Sequence, residues 1–194
     1  MNHALIPLDR APVSKLIEIA EQSAPFVCPR TESDYWLYGR LFSDTCKAVI
    51  DRESVAGFII AFRGQTNPDE IYIQDVAVAS GVRRQGVGKA LVQEVVRLAR
   101  LWAVKRVWLT SEPENHSALH VWAAMGFENL PADRQVKGVW VTADLKAAGK
   151  DRAVYALCNI VPNQDQQRAR SASDPDLNRN SVLLERDGSR SRFA

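Results

Sequence analysis

The sequence predicts a mixed α/β domain, because two hydrophobic periodicities alternate along it and its composition suits a folded core. Stretches with apolar residues at helical spacing are interleaved with short runs rich in β-branched residues. Apolar residues make up 46% and charged residues 25% of the 194 residues, as is typical of a soluble globular protein. That length favours one domain of about 150 residues with extra chain, or two very small domains.

The first half of the chain predicts two helices, a hairpin and a long strand. Pro12 suits the first turn of a helix whose apolar residues include Leu16 and Ile19. Asp51-Arg52-Glu53 lies between two β-rich runs, which indicates a hairpin. We expect helices at residues 13–24 and 34–42, and strands at residues 47–50, 55–62 and 70–78.

The second half contains the strongest helical pattern of the chain. One apolar stripe joins Val87, Leu91, Val95, Ala99 and Trp102. A later helix is expected to end at a glycine in its C-terminal turn. We expect helices at residues 87–102 and 117–125, a strand at residues 106–110, and a final strand pair at residues 136–143 and 152–160.

The composition changes near Pro162, which divides the chain into a domain at residues 1–160 and a tail at residues 161–194. The tail is polar and rich in Arg and Ser, with one apolar cluster at residues 182–184. Such a segment buries too little apolar surface to offset its ordering entropy, so we expect it to be disordered. An alternative is an interaction protein that acts through the arginines of this tail.

The bulk properties indicate a cytoplasmic protein. A formal net charge of +2 is too balanced to indicate nucleic acid or an anionic membrane as a partner. No apolar stretch approaches the length of a membrane helix, and the N-terminus does not resemble a signal peptide. Cys28, Cys46 and Cys158 are far apart and odd in number, so neither a disulfide framework nor a metal site is expected.

A glycine-containing segment between a strand and a helix carries the clearest chemical signal. Residues 83–89 follow the strand that ends at Val78 and open the long helix. Glycines allow a tight turn, and the free N–H groups at a helix start favour phosphate. The P-loop and dinucleotide spacings are both absent, because Val87 stands where a P-loop has lysine and Leu91 where the third dinucleotide glycine belongs. A plain strand-to-helix turn is the alternative.

Two motifs in register resemble GNAT N-acetyltransferases. The first is Arg83-x-x-Gly86-x-Gly88 after residues 75–78, and the second is Asn115 and Ala118 followed by Met125-Gly126-Phe127. The resemblance spans about residues 5–160. It implies a central, mostly antiparallel sheet that is flanked by helices and splayed at the acyl-CoA site, with acetyl-CoA as cosubstrate and no metal.

The resemblance also implies roles for individual residues. The amides of residues 85–89 would hold the CoA pyrophosphate, and the splayed strand end would leave main-chain groups for the pantetheine. A main-chain N–H near Val76 would polarise the thioester carbonyl. Asn115 would orient the pantetheine arm, or act as a helix N-cap, or both. The expected cofactor-binding residues are Val76, Ala77, Val78, Arg83, Arg84, Gln85, Gly86, Val87, Gly88, Lys89 and Asn115.

The expected catalytic residues are Asp75, Val76 and Trp122. An amine must lose a proton before it attacks, and Asp75 is the first candidate base, ahead of Glu70 and Glu112. A buried Asp75 satisfied by local hydrogen bonds is the alternative. Trp122 stands where many GNAT members carry a tyrosine that protonates the leaving thiolate, and an indole N–H is no acid in this pH range. Plain core packing is the alternative for Trp122.

The expected acceptor is a primary amine of a small cationic molecule. Acidic and aromatic residues are common in the region of the second helix, where cation recognition and ordinary surface composition are both compatible with them. They are Glu32, Asp34, Tyr35, Trp36, Tyr38 and Asp44.

More specific resemblances leave two acceptors open. Ser33-Asp34-Tyr35 with residues 70–78 and 83–86 is similar to aminoglycoside 3-N-acetyltransferases, and residues 35–45 with 57–59 are similar to diaminobutyrate acetyltransferases. A non-catalytic acyl-CoA-binding module is an alternative of another class, motivated by Trp122. The apolar run at Val139, Trp140 and Val141 is compatible with a homodimer strand or an internal strand.

Overall fold

The computed structural model describes residues 4–158 and Ile160, and it is built on a seven-stranded sheet with four helices. The helices are α1 (Val13–Glu21), α2 (Glu32–Leu41), α3 (Val87–Leu101) and α4 (His116–Ala124). The strands are β1 (Ala4–Pro7), β2 (Lys47–Asp51), β3 (Ser54–Arg63), β4 (Glu70–Val78), β5 (Arg106–Ser111), β6 (Glu128–Asn129), β7 (Arg134–Val136), β8 (Val139–Val141) and β9 (Ala153–Cys158).

The large sheet has the order β1-β2-β3-β4-β5-β9-β6, and β7 and β8 form a separate two-stranded sheet. Every neighbouring pair of the large sheet is antiparallel except β4 and β5. Parallel strands need a crossover connection, and α3 lies in the chain between these two strands. The expected mostly antiparallel sheet flanked by helices is therefore confirmed.

Helices cover both faces of the sheet, and the alternation of side chains along β3 divides the core into two layers. Phe58 and Ile60 pack in one layer with the buried residues of α1 and α2. Ile59 and Ala61 point the other way and pack with the buried stripe of α3. Each layer is closed by a helix that presents one apolar face to the sheet.

A β-bulge in β4 lies where the site forms. Ile60 pairs with Asp75 and Ala61 pairs with Ile73, so Gln74 has no partner in β3. An extra residue reverses the alternation of side chains beyond it. As a result Asp75 shares a face with Ile60, on the side of α1 and α2, instead of the α3 side that Ile73 occupies.

The hairpin at residues 51–53 is confirmed. Strands β8 and β9 lie within the two ranges predicted for the final pair, but in the described part of the chain these ranges are joined by a single bridge, between Thr142 and Arg152. Residues 134–141 form the β7–β8 hairpin, because Lys137 and Gly138 take φ values of 50° and 83° and turn the chain back. Strand β9 pairs instead with β5 and β6, and the Thr142–Arg152 bridge is its link to this region. Val139 and Val141 are buried in the core, as expected if the apolar run at residues 139–141 is an internal strand.

The other differences lie at element ends and in short strands. Helix α2 begins two residues earlier than expected because Thr31 forms a capping box with Asp34. Helix α1 ends at Glu21, and the short strands β1 and β6 carry no clear β pattern in the sequence. The predicted tail at residues 161–194 lies outside the described residues. Within the described part, no helix is long and apolar enough to span a bilayer.

Candidate active site

A groove of about 660 Å³ opens where β4 and β5 separate. The two strands pair from Glu70 and Arg106 as far as Ile73 and Leu109, and no further. Strand β4 continues beside β3 to Val78, whereas β5 continues beside β9. The groove is bounded by the ends of β4 and β5, the start of α3, one face of α4 and the loop after α1.

The main-chain groups of Val76 and Val78 face this gap. Ala79, just after β4, donates its N–H to the carbonyl of Ala56 in β3 at 2.9 Å. In an antiparallel pair every second residue bonds to the neighbouring strand, and the residues between them direct their main-chain groups to the other side. Counting back from Ala79, the main-chain groups of Val76 and Val78 therefore point away from β3. The carbonyl of Val78 accepts a hydrogen bond from Arg83 Nε at 3.2 Å, in agreement with that direction. The main-chain groups of Ala77 point toward β3 instead.

The start of α3 forms the opposite wall and supplies free amides. Gly86 is the N-cap residue with a φ of 87°, a left-handed conformation that favours glycine. Its carbonyl accepts the first helical hydrogen bond, from Ala90, so the N–H groups of Val87, Gly88 and Lys89 have no partner within the helix. A Cβ built at Gly86 would have no heavy atom within 4 Å, which leaves room for a ligand against this backbone.

The cationic side chains of this loop differ in their surroundings. Arg83 bridges two carbonyls, because its Nη2 also donates to the carbonyl of Gln22 at 2.6 Å. Its guanidinium thus ties the end of α1 to the end of β4. The side chains of Arg84 and Lys89 are exposed beside the free amides, and Gln85 donates to the carbonyl of Gly81 at 3.3 Å.

Asn115 and Trp122 line the groove from the fourth helix. The Asn115 side-chain oxygen accepts a hydrogen bond from the N–H of Ala118 at 3.1 Å, so the residue is an N-cap of α4. The Trp122 ring packs edge-on against Phe127, with ring centroids 5.8 Å apart. Its indole nitrogen is buried and has no hydrogen-bond partner among the described residues.

Asp75 lies in the groove and forms an ion pair that the sequence did not indicate. Its side chain is 7% exposed, and Arg30, from the connection between α1 and α2, donates to its Oδ2 from Nε at 3.2 Å and from Nη2 at 2.9 Å. Burial disfavours the charged guanidinium, but the hydrogen bond to Asp75 and its negative charge outweigh that effect and raise the pKa of Arg30 above its usual value.

The other two candidate bases lie in different places. Glu112 lines the groove and pairs with Arg152 at 3.1 Å. Glu70 pairs with Arg106 at the first residue of β4, five residues from Asp75, which is about 16 Å along a strand. Glu70 is therefore remote from the gap.

The groove is not lined by the acidic and aromatic residues of the α2 region. Tyr35 is 1% exposed and packs edge-on against Phe58, so it belongs to the core. Asp34 serves the capping box of α2, where the hydrogen bonds from Thr31 lower its pKa. Trp36 is exposed on α2. The sequence analysis missed other residues that line the groove, namely Gln22, Phe26, Val27, Gln74 and Thr110. It also missed Arg30, the ion-pair partner of Asp75.

A metal centre has no support among the described residues, because no group of three or more His, Cys, Asp or Glu side chains lies together there. The chemistry of the groove is that of main-chain amides, a helix start and paired charges. Fixed amides beside a helix N-terminus suit a diphosphate, and free main-chain groups along a strand suit an amide-containing arm.

Comparison with known proteins agrees with this geometry. The Acetyltransferase (GNAT) family model matches residues 13–127. The L-2,4-diaminobutyric acid acetyltransferase of Virgibacillus pantothenticus is 24% identical over 124 residues, which are 63% of this chain and 77% of that protein. The enzyme of the same name from Nocardia farcinica is 30% identical over 92 residues, which are 47% of each protein.

Solved structures share the fold at low identity. Diaminobutyrate acetyltransferase from Paenibacillus lautus, in complex with L-2,4-diaminobutyric acid and coenzyme A, superposes with a TM-score of 0.63 at 21% identity. That superposition covers 84% of this chain and 98% of the other. An N-acetyltransferase from Staphylococcus aureus superposes with a TM-score of 0.61 at 14% identity, over 81% and 99% of the two chains.

The chain belongs to the GNAT acetyltransferase family, since the family model covers more than half of its length. It is a GNAT-type N-acetyltransferase. Members of this family use acetyl-CoA, and the P. lautus structure contains coenzyme A.

Proposed function

We propose that this chain transfers the acetyl group of acetyl-CoA to a primary amine of a small cationic molecule. The separation of β4 from β5 opposite the glycine N-cap of α3 supports this most strongly, because it places free main-chain groups on both walls of one groove. When bound, acetyl-CoA supplies an acetyl thioester, and the amine attacks its carbonyl carbon directly in a ternary complex. The C–S bond breaks, and the departing CoA thiolate takes up a proton from solvent.

The donor half of the groove would be built mainly from backbone. The N–H groups at the start of α3 would hold the diphosphate, with the exposed cations of Arg84 and Lys89 beside them. The main-chain groups of Val76 and Val78 would bond the pantetheine and the thioester carbonyl. A fixed N–H aimed at developing negative charge contributes about 3 kcal/mol to catalysis in typical enzymes. The side-chain NH2 of Asn115 would orient the arm, while its oxygen caps α4.

The acceptor half would centre on Asp75, next to Val76 in β4. Two hydrogen bonds from Arg30 hold its Oδ2, and within the described residues none reaches its Oδ1. We therefore assign Asp75 to holding and orienting the attacking amine through Oδ1, with proton removal through solvent in the groove. The role of general base stays a prediction.

Diaminobutyrate is the first acceptor to test, because the relatives from V. pantothenticus and N. farcinica carry that name. Thiol release from acetyl-CoA should be measured with 2,4-diaminobutyrate, 1,3-diaminopropane, spermidine, an aminoglycoside and N-terminal peptides. We expect turnover with the small diamines. Turnover with the aminoglycoside alone would identify an aminoglycoside as the acceptor in place of diaminobutyrate. Binding of CoA without thiol release in the presence of any amine would indicate a non-catalytic module.

We propose a cytoplasmic protein that acts without nucleic acid or membrane, as a monomer or a homodimer, and without a role of the tail in turnover. Unchanged turnover after removal of residues 161–194 would support the last point, and loss of turnover would favour an interaction role for the tail.

A further inference from the structure

We propose that Arg83 is a positioning residue for the acceptor, because its guanidinium fixes the connecting segment, residues 22–31 between α1 and α2, as a wall of the groove. The neighbouring Arg84 then supplies the mobile cation for the diphosphate. These roles rest on the proposed acetyl transfer to an amine. Of the two arginines expected to bind CoA, only Arg84 keeps that function.

The connecting segment forms one wall of the groove. Its residues Gln22, Ser23, Ala24, Phe26 and Val27 line the groove. Phe26 is 42% exposed, so a bound molecule can cover its ring. Towards α2 the segment reaches Asp75, because Arg30 pairs with that carboxylate at 2.9 Å. The wall therefore ends at the residue that we assign to the attacking amine.

The first residue of this segment is bonded to the chain after β4 in two ways. Arg83 donates from Nη2 to the carbonyl of Gln22 at 2.6 Å and from Nε to the carbonyl of Val78 at 3.2 Å. The side-chain oxygen of Gln22 accepts the N–H of Ser80 at 2.9 Å. Gln22 is the C-cap of α1, where carbonyls lack helical partners and a cation is favourable. Arg83 therefore stabilises the place where the segment begins.

Arg84 lines the same groove in different surroundings. In the part of the chain that the structure describes, its side chain has neither a hydrogen bond nor an ion pair. A guanidinium binds two acceptor atoms along one planar edge. The Nε–Nη2 edge of Arg83 is already occupied by two carbonyls, whereas the guanidinium of Arg84 is available beside the free amides of α3. The diphosphate is therefore expected to depend on Arg84 more than on Arg83.

The test compares Arg83→Met with Arg84→Met, using 2,4-diaminobutyrate as the acceptor and calorimetry for CoA. In Arg83→Met we expect KM for the acceptor to rise about tenfold, with kcat and the Kd for CoA within about threefold of wild type. In Arg84→Met we expect the Kd for CoA to rise about tenfold, with KM for the acceptor within about threefold. An unchanged acceptor KM in Arg83→Met, or equal losses of CoA affinity in the two variants, would overturn the proposal.

Two further variants separate the hydrogen bonds of Arg83 from its charge. Arg83→Lys keeps the charge and loses the fork that spans two carbonyls, so we expect the same rise in acceptor KM as in Arg83→Met. Gln22→Ala removes the bond from Ser80 and leaves Arg83 in place, and acceptor KM should rise about threefold. A wild-type acceptor KM in Arg83→Lys would assign the effect to charge alone and contradict the positioning role.

Amide hydrogen exchange tests the connecting segment without any turnover. The N–H groups of Ala24, Phe26 and Val27 bond to nearby carbonyls, and their exchange should be about tenfold faster in Arg83→Met. Arg97→Met is the matched control, because Arg97 pairs with Glu94 on the exposed side of α3, and exchange should not change. Wild-type exchange in Arg83→Met would contradict the role of Arg83. Faster exchange without thiol release from any amine would support that role and remove the transfer reaction alone.

Discussion

One half of the groove is formed mainly by backbone groups and the other mainly by side chains. The half that we propose for the donor uses the backbone of one continuous stretch, from β4 through Gly86 to the first turn of α3. The half that we propose for the acceptor uses side chains, and Asp75 is paired there with Arg30, which is 45 residues away in the chain. A main-chain site tolerates most side-chain changes and fails where the backbone itself is altered, whereas a side-chain site depends on single functional groups.

This difference predicts a large and selective effect of Gly86→Glu. The new side chain strains a φ of 87° and places negative charge at the start of α3, so we expect the Kd for CoA to rise at least about a hundredfold by calorimetry. Gly138→Glu is the control, since Gly138 has a φ of 83° and equally open space, but lies in the β7–β8 hairpin. A Kd within about threefold of wild type in Gly86→Glu would contradict the main-chain cradle.

Asp75→Asn should affect the acceptor and spare the donor, the reverse of Gly86→Glu. This variant keeps the shape and removes the charge that we propose to hold the amine, so we expect kcat/KM for the acceptor to fall about fiftyfold while the Kd for CoA stays the same. Asp69→Asn removes a carboxylate from the exposed Lys105 pair and serves as the control. An unaffected rate in Asp75→Asn would clear Asp75 of any role with the amine.

Asn115 tests whether one side chain serves both the fold and the donor. Asn115→Ala and Thr31→Ala each remove an N-cap, so each should lower the free energy of unfolding by about 1 kcal/mol. We expect the Kd for CoA to rise about fivefold in Asn115→Ala only. Equal CoA affinity in the two variants would leave Asn115 with the capping role alone.

The smallest expected effect concerns Trp122. Trp122→Phe keeps a ring against Phe127 and removes an N–H that is not an acid, so we expect kcat to fall by about threefold. Trp108→Phe removes another buried indole N–H, which has no hydrogen-bond partner in the described part of the chain and does not line the groove, so kcat should not change. A drop of about a hundredfold or more in Trp122→Phe would show that the indole N–H has a central part in the reaction.

The backbone half of the groove could be predicted from the sequence, and the side-chain half could not. The fold class and the donor loop rest on local signals, namely the alternating periodicities and the glycines at residues 86 and 88 beside a strand end. The bulge at Gln74 and the pairing of Arg30 with Asp75 arise from tertiary register, and no spacing in the chain encodes them. Likewise the strand predicted at residues 136–143 missed its turn: Gly138 is a common turn residue, but Lys137 is an unusual residue for a positive φ.

The most direct measurement compares CoA with pantetheine, which has the thiol arm and lacks the diphosphate and nucleoside. If the backbone around Gly86 captures the diphosphate, calorimetry should show CoA binding at least about a hundredfold tighter than pantetheine. Equal affinities for the two molecules, or no heat from CoA at millimolar concentration with well-folded protein, would contradict that claim.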